Sequence, residues 1–391
     1  MLTLSRYWLA GRRVASDAFG RRDPCIVDLA AHRAAAVAWL ARAQDVAGDG
    51  GVPASFHLRE GWCPSYPETT GYIAATFLHL AGLPDIPDSQ AADLTARARR
   101  MINWLLTCQY DDGGFPGQFG NRSRKPIVFN TGQILFGLTA AIDAGIATPS
   151  VERAAERAVN WLIRQQDDDG CWRRCEYHDT PHTYNTRTAW ALAAYGRLVD
   201  DRRALDAAAQ NLRWALQRCQ ADGWIELCAF RPGEPPFLHT LAYAIQGFLE
   251  AGRLLGSEPA VAAAECAARR IAQDLSETGG VPGAYHPGWR PAARFRCLTG
   301  EAQMAVVWAR LAAASREAEL IAACDTAVRA VAATQDLTGP AETRGAIAGS
   351  SPIWGRYSRF EFPNWAAKFF IDAVTAHAAL TRAAGEVRPC G

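Results

Sequence analysis

Lysine is nearly missing from this 391-residue chain: Lys125 and Lys368 are its two copies, and arginine supplies the other fixed positive charges. Net charge is equally scarce, because 41 basic and 40 acidic residues leave a formal +1. No extended field exists for wrapping nucleic acid or coating an anionic membrane, so no nucleic-acid partner is expected. No run approaches the roughly twenty apolar residues that cross a bilayer, and Arg6 interrupts the apolar start a signal peptide would need. Pro/Gly/Ser-rich linkers are also lacking, so we expect one domain over 1–391. The eleven cysteines are odd in number and scattered, which argues for a reducing, cytoplasmic compartment rather than a disulfide framework. What the chain does have is 49% hydrophobic side chains, enough to bury a sizeable core.

Self-similarity supplies the architecture. Amphipathic stretches end alike, at Trp39 to Gln44, Trp104 to Gln109, Trp161 to Gln166, Trp214 to Gln220 and Ala332 to Gln335, with turn glycines such as Gly113, Gly170 and Gly223 next. An irregular segment follows each, and then a more apolar helix opening at Thr70, Thr131, Thr186, Thr240, Thr299 or Asn364, at steps of 54 to 65 residues. Thr and Asn there read as helix N-caps. The amphipathic helices belong outside and the apolar ones inside. Six outer–inner hairpins, near 30–82, 91–144, 150–199, 202–256, 258–314 and 316–384, bury themselves best by closing into an all-α (α/α)6 toroid. Outer-to-inner links are about twenty residues long and inner-to-outer links only a few, so one face collects the long loops and, with them, the function.

At that mouth the inner helices present their N-termini, which favours anionic ligands. The loops add Arg122, Arg124, Lys125, Arg290, Arg294, Arg296, Arg344, Arg356 and Arg359, and aromatics that include Trp62, Tyr66, Phe119, Tyr177, Tyr184, Phe230, Trp354 and Tyr357. Solvated loop arginines and aromatic plugs are the plain alternative. The strongest string is 182–187, where His182, Tyr184, Asn185 and Arg187 bring together a base, a phenol, an amide and a guanidinium. Proton abstraction beside a uronate carboxylate needs such a set: His or Tyr moves the proton, and Asn with Arg neutralises the developing charge. Otherwise Asn185 merely caps a helix and Arg187 pairs with an acid. The other helix entrances hold Tyr66 with Glu68, Asn130 with Gln133, His239 with Tyr243, and Glu301. At the sixth stand Trp354, Arg356, Tyr357, Glu361, Asn364 and Lys368. Glu68 with Glu361 or Glu301 would form a carboxylate pair for glycoside hydrolysis. Cys171, Cys175, His178 and His182 lie close enough to weigh as a zinc site, but they lack the usual two-residue Cys step, and neither metal nor other cofactor is expected.

The Gln-to-Gly-Trp hairpin ends resemble the repeats of the squalene-cyclase and prenyltransferase toroid superfamily, from about Trp39 to Phe370. That resemblance is one of scaffold, since Asp167-Asp168-Asp169-Gly170 does not reproduce the Asp-x-Asp-Asp motif of class II terpene cyclases. Over nearly its full length the chain also resembles the VpsJ-like polysaccharide biosynthesis proteins of bacterial exopolysaccharide clusters. The strings that carry this are Ser65-Tyr66-Pro67-Glu68-Thr69-Thr70-Gly71-Tyr72, Phe129-Asn130-Thr131-Gly132-Gln133, His239-Thr240-Leu241, Leu298-Thr299-Gly300 and Pro363-Asn364-Trp365-Ala366-Ala367-Lys368. The resemblance implies a carbohydrate context. The leading expectation is a lyase that cleaves an anionic, uronate-containing polysaccharide or oligosaccharide, with Tyr184 or Tyr357 as acid/base and His182 or His239 assisting. Hydrolysis through Glu68, isoprenoid chemistry on the same scaffold, and a non-catalytic glycan-binding subunit are the alternatives. The sequence leaves the oligomeric state open.

Overall fold

Helices of two kinds alternate along the chain. Val128–Asp143 is buried almost all round, whereas Pro149–Gln165 buries one stripe that includes Val151, Ala155, Ala158 and Leu162 and leaves Glu152, Arg153, Glu156 and Arg157 in water. That stripe recurs at helical spacing and needs a neighbour to cover it. The computed structural model describes residues 2–19, 27–117 and 125–385. Among these, the inner helices are α3 (Pro67–Ala81), α5 (Val128–Asp143), α7 (Thr186–Val199), α9 (Leu238–Leu255), α11 (Leu298–Ser315) and α13 (Asn364–Gly385). The outer helices are α2 (Leu29–Ala47), α4 (Asp88–Cys108), α6 (Pro149–Gln165), α8 (Arg202–Leu216), α10 (Glu258–Thr278) and α12 (Ala318–Ala332). Each inner helix packs on the next, and α13 packs back on α3, so the inner ring is closed. Each of α4, α6, α8, α10 and α12 lies against the inner helix before it, across a short link, while α2 covers α13. This is the all-α (α/α)6 toroid that the repeat predicts. No described helix is long and apolar enough to cross a membrane.

The repeated glutamines hold the outer ring together. Gln109 Nε2 donates to Gly113 O (3.0 Å) in its own turn and to Ala154 O (2.9 Å) on α6, and Gln166 Nε2 does the same to Gly170 O (3.0 Å) and Ala207 O (2.9 Å) on α8. Gln44 Nε2 likewise reaches Gly50 O and Arg97 O. Each amide binds one carbonyl of its own turn and one of the next outer helix, and so fixes the position of that helix. The turn itself lies flat on its neighbour: at Gly113, with φ 102°, a Cβ would fall 2.4 Å from Arg157 O.

The N-cap expectation for the inner threonines needs correction. α3 and α5 begin at Pro67 and Val128, so Thr70 and Thr131 sit one turn inside their helices. Their hydroxyls accept from Val52 N and Phe115 N, each at 3.0 Å, and so fasten the preceding loop to the helix wall. Asn364 serves similarly, with Nδ2 donating to Pro53 O and Thr69 Oγ1, both at 2.8 Å. The loop peptides are the stronger claim on these side chains because they are buried and have no other partner available.

Short strands stitch the long loops into a collar. β1 (Ser55–His57) pairs with β2 (Gly61–Trp62) and with β7 (Glu361–Pro363), joining the first loop to the sixth; β3 (Tyr285–His286) pairs with β4 (Arg290–Pro291); and β5 (Arg296–Cys297) pairs with β6 (Ser350–Ser351), joining the fifth to the sixth. Outside the ring lies α1 (Leu2–Phe19), a helix that the repeat does not foresee. It braces the sixth loop through Arg13 Nη1 donating to Thr334 O (3.1 Å) and Asp17 Oδ2 accepting from Ile353 N (2.8 Å).

Ring closure depends on backbone contact. A Cβ at Gly71 would lie 2.5 Å from Ile134 Cα, and one at Gly137 would lie 2.4 Å from Gly71 O. Gly71→Ala therefore forces α3 and α5 apart and is expected to cost about 1–3 kcal/mol, measured by denaturant unfolding. Gly82→Ala, with no atom closer than 3.7 Å to the added carbon, is the control; equal stability of the two variants would refute this account of closure.

Candidate active site

Because the inner helices all start at the collar, the first-turn residues of α3, α5, α9 and α13 face one hollow. It is a cavity of about 530 Å³ bounded by Tyr66, Glu68, Phe129, Tyr177, Tyr184, Phe230, Phe237, His239, Tyr243, Tyr357 and Trp365, with His178, Arg231, Glu234 and Arg356 at its exposed rim. The walls are mostly aromatic. One carboxyl lies at their base.

That carboxyl is Glu68, only 7% exposed. Tyr66 donates its hydroxyl to Glu68 Oε2 at 2.5 Å and accepts from Asn130 Nδ2 at 3.1 Å, while the Tyr177 hydroxyl lies 3.1 Å from both the Tyr66 hydroxyl and Asn130 Oδ1. Burial pushes the Glu68 carboxyl up to about 7, against the opposing pull of the Tyr66 hydrogen bond and the Arg187 charge. Desolvation wins because the charged form has lost its water and gained a single strong donor. The tyrosines move the same way: burial raises Tyr66, Tyr184 and Tyr357 well above 10, so their phenols stay protonated. His239 Nδ1 lies 2.7 Å from Gln303 Oε1; with Nδ1 as the donor of that bond, Nε2 keeps a lone pair. Burial holds this imidazole down at about 3, and it is neutral at any ordinary pH.

The 182–187 string is dispersed. Tyr184 alone of its four candidates lines the cavity, with its hydroxyl buried and unpartnered. The His182 ring stacks behind it at 4.4 Å, turns Nε2 to Tyr177 O (3.2 Å), and lines a separate cleft with Gln220 and Trp224. Burial lowers His182 to about 4. Asn185 makes no capping bond and donates to Glu176 Oε1 at 2.8 Å. Arg187, 1% exposed, points away from the mouth: Nε donates to Gln133 Oε1 (2.7 Å) and Nη1 to Gln246 Oε1 (2.6 Å). The reason is local geometry. A tight turn at Thr183–Asn185 precedes α7, so Arg187 leaves the helix on the axis side and below the collar.

Other candidates fall outside the cavity as well. Glu301 is paired with Arg296, whose Nε lies 2.8 Å from Oε1. Glu361 sits on β7 opposite His57. Neither lines the cavity, so Glu68 is not paired there with another candidate carboxylate. Trp62 packs between Trp39 and Phe56, and Trp354 is on the surface. Gln133 and Lys368 lie deeper along the axis, where Lys368 Nζ meets Asp372 Oδ2 at 2.5 Å. Of the loop arginines, Arg356 reaches the rim, whereas Arg122, Arg124 and Phe119 lie outside the described residues. The Cys171 and Cys175 thiols turn to Trp172 O and Gln165 Oε1, and among the described residues no three metal-ligating side chains converge.

Sequence reasoning underused several residues. Tyr177 and Phe230 count there only as loop aromatics, Phe129 only as the first residue of the 129–133 string, and Arg231, Phe237 and Glu176 carry no signal of their own. Glu176 is 2% exposed, is pushed well above the usual carboxylate range by burial, and backs the cavity wall through Asn185. Its place next to Tyr177, in a loop that sequence already marked as functional, was the available clue.

Comparison with known proteins gives two kinds of likeness. Residues 70–247 match the model of the squalene-hopene cyclase C-terminal domain family. The ent-copalyl diphosphate synthase of Streptomyces sp. (strain KO-3988) is 33% identical over 144 residues, 36% of this chain and 27% of that protein. The match thus spans about a quarter of the curated relative. Among solved structures, an unsaturated glucuronyl hydrolase specific for heparin superposes with a TM-score of 0.71 at 16% identity, covering 90% of this chain and 98% of its own. The cellobiose 2-epimerase of Spirochaeta thermophila gives 0.66 at 13% identity, covering 97% and 99%. At such identities the shared property is the toroid fold.

Glu68 makes stability depend on pH. Its carboxyl ionises near 4.5 when exposed and near 7 when folded, so the folded state holds the extra proton between those values and stability falls as pH rises through that window, by about 3 kcal/mol in all. Glu68→Gln should remove this fall, seen as a flatter profile of unfolding free energy between pH 4.5 and 8. A profile as steep as that of the unmutated protein would show that Glu68 is not the buried acid.

Proposed function

We propose that the protein is a carbohydrate-active enzyme that cleaves a glycosidic bond by acid catalysis at the collar, with Glu68 as the proton donor. One observation carries this reading: a carboxyl held protonated near neutral pH at the base of a cavity walled by aromatic rings. A general acid works best when it ionises near the working pH, because it is then both protonated and able to give the proton up. Tyr66 positions the carboxyl, and the tyrosine faces offer π density to the oxocarbenium-like charge that develops at the sugar. His239 Nε2 is available to orient the attacking water. Arg231 and Arg356 at the rim suit an anionic sugar, and the exopolysaccharide-type string 65–72 contains both Tyr66 and Glu68.

Hydrolysis is preferred to β-elimination on geometry. Elimination beside a uronate needs a neutraliser for the carboxylate and a phenol that readily loses its proton. Asn185 and Arg187 are turned away from the cavity, and burial keeps the tyrosines protonated. The second reading, isoprenoid cyclisation, is favoured by the squalene-hopene cyclase match and the aromatic walls. It is disfavoured by acid strength, since protonating an alkene demands a far stronger acid than a carboxyl held near 7.

Incubation with a panel of bacterial exopolysaccharides and uronate oligosaccharides is expected to release reducing ends with no absorbance near 230 nm. The rate should fall as pH rises through about 7, and Glu68→Gln should lower it by a factor of roughly 10²–10⁴. Growth of the 230 nm band would replace hydrolysis with elimination. Products extracted after incubation with prenyl diphosphates, and none from glycans, would establish the isoprenoid reading instead.

A further inference from the structure

The toroid has a second hollow at its other end, among the C-terminal halves of the inner helices. Its volume is about 470 Å³, close to that of the mouth cavity, and its lining is largely apolar, with Phe136, Trp190, Val306, Ile321 and Leu380 among its walls. Along α13 it runs from Lys368 past Asp372, Ala376 and Ala379 to Arg382, a depth of about 20 Å at the helical rise. Its inner end is formed by Arg187 and Lys368.

Charge does not balance at that inner end. Lys368 is matched by Asp372, whose other oxygen accepts from Thr76 Oγ1 at 2.8 Å. Arg187 has neutral partners only: two glutamine oxygens and the faces of Phe136, Trp190, Tyr243 and Phe369, each 5.0 to 5.3 Å from the guanidinium carbon. Among the described residues no carboxylate makes a salt bridge with it; Asp372, already held by Lys368, and Glu68 act on it only from a greater distance. A buried guanidinium with no carboxylate in contact is costly unless something supplies one. At the rim, Arg310 pairs with Glu250 at 3.5 Å; Arg187 has no ion pair of that kind.

We propose that this second cavity is a binding site for an amphiphilic organic anion, its carboxylate or phosphate head against Arg187 and Lys368 and its apolar body along the α11–α13 wall. Binding there neutralises the unpaired guanidinium and covers the exposed apolar lining in one step. The site is separate from the collar and does not rest on the glycan reading. A purely structural role, in which Arg187 only ties α5, α7 and α9 together, predicts no ligand.

Isothermal titration with decyl phosphate and decanoate, both kept below their micelle concentrations, tests the assignment on the full chain. At least one is expected to bind at least tenfold more tightly than decanol or inorganic phosphate, and which one shows the preferred head group. Ala379→Trp blocks the outer part of the cavity at an exposed position and should weaken binding at least tenfold; Arg187→Gln should weaken the anion but not decanol. Phe230→Ala, in the wall of the mouth cavity and not of this one, should leave binding unchanged. Absence of binding, equal affinity for decanol, or loss of binding in Phe230→Ala with none in Ala379→Trp would each overturn the proposal.

Discussion

The inner helices touch backbone to backbone, and the rest of the molecule depends on that contact. Where α3 meets α5 at Gly71, and where α9 meets α7 at Gly247, a single added carbon would collide with main-chain atoms. Such close approach lets six helices close around a narrow axis with no filler between them. Closure in turn sends every inner N-terminus to one end, and every loop of about twenty residues follows. The collar strands and the outer-ring glutamines then lock those loops to each other and to the next hairpin.

A closed, apolar axis changes what a charge inside it can be. Glu68 at the collar, Arg187 in the middle, and Lys368 with Asp372 below are strung along that axis. Each has lost most of its water, and each answers differently. Glu68 takes a proton and becomes a neutral acid near pH 7, while burial and Arg187 lower Lys368 to about 8. Arg187 cannot shed its proton in a protein, so it rests on amide oxygens and ring faces. The chemistry proposed for the collar and the anion site proposed for the far end are two consequences of this one arrangement: a carboxyl that is neutral because it is buried, and a cation that is buried without a salt bridge.

Much of this was legible in the chain, though not in the right order of importance. The spacing of Thr70, Thr131, Thr186, Thr240, Thr299 and Asn364 reveals six inner helices, because each hairpin must present the same side chains to its neighbours. Tyr66 and Glu68 also stand out, as two polar groups at a helix entrance. The 182–187 string looks richer because its residue types match a known chemistry, yet three of its four candidates face elsewhere. A string of residues reports composition, whereas direction is set by the tight turn before α7 and by the glutamines on α5 and α9 that capture Arg187. Phe237 and Arg231 were invisible for the converse reason: ordinary residues become cavity walls only when elements distant in the chain meet.

By itself the sequence determined the class of fold, the number of hairpins, and the end of the ring at which long loops gather, since all three follow from periodicity and from segment length. The tertiary structure alone decided which side chains share a cavity, which carboxyl is stripped of water, and which cation is left without a salt bridge. Periodicity is a local property of the chain, written in every repeat. Desolvation is a property of everything that surrounds a group, and it exists only after the ring has closed.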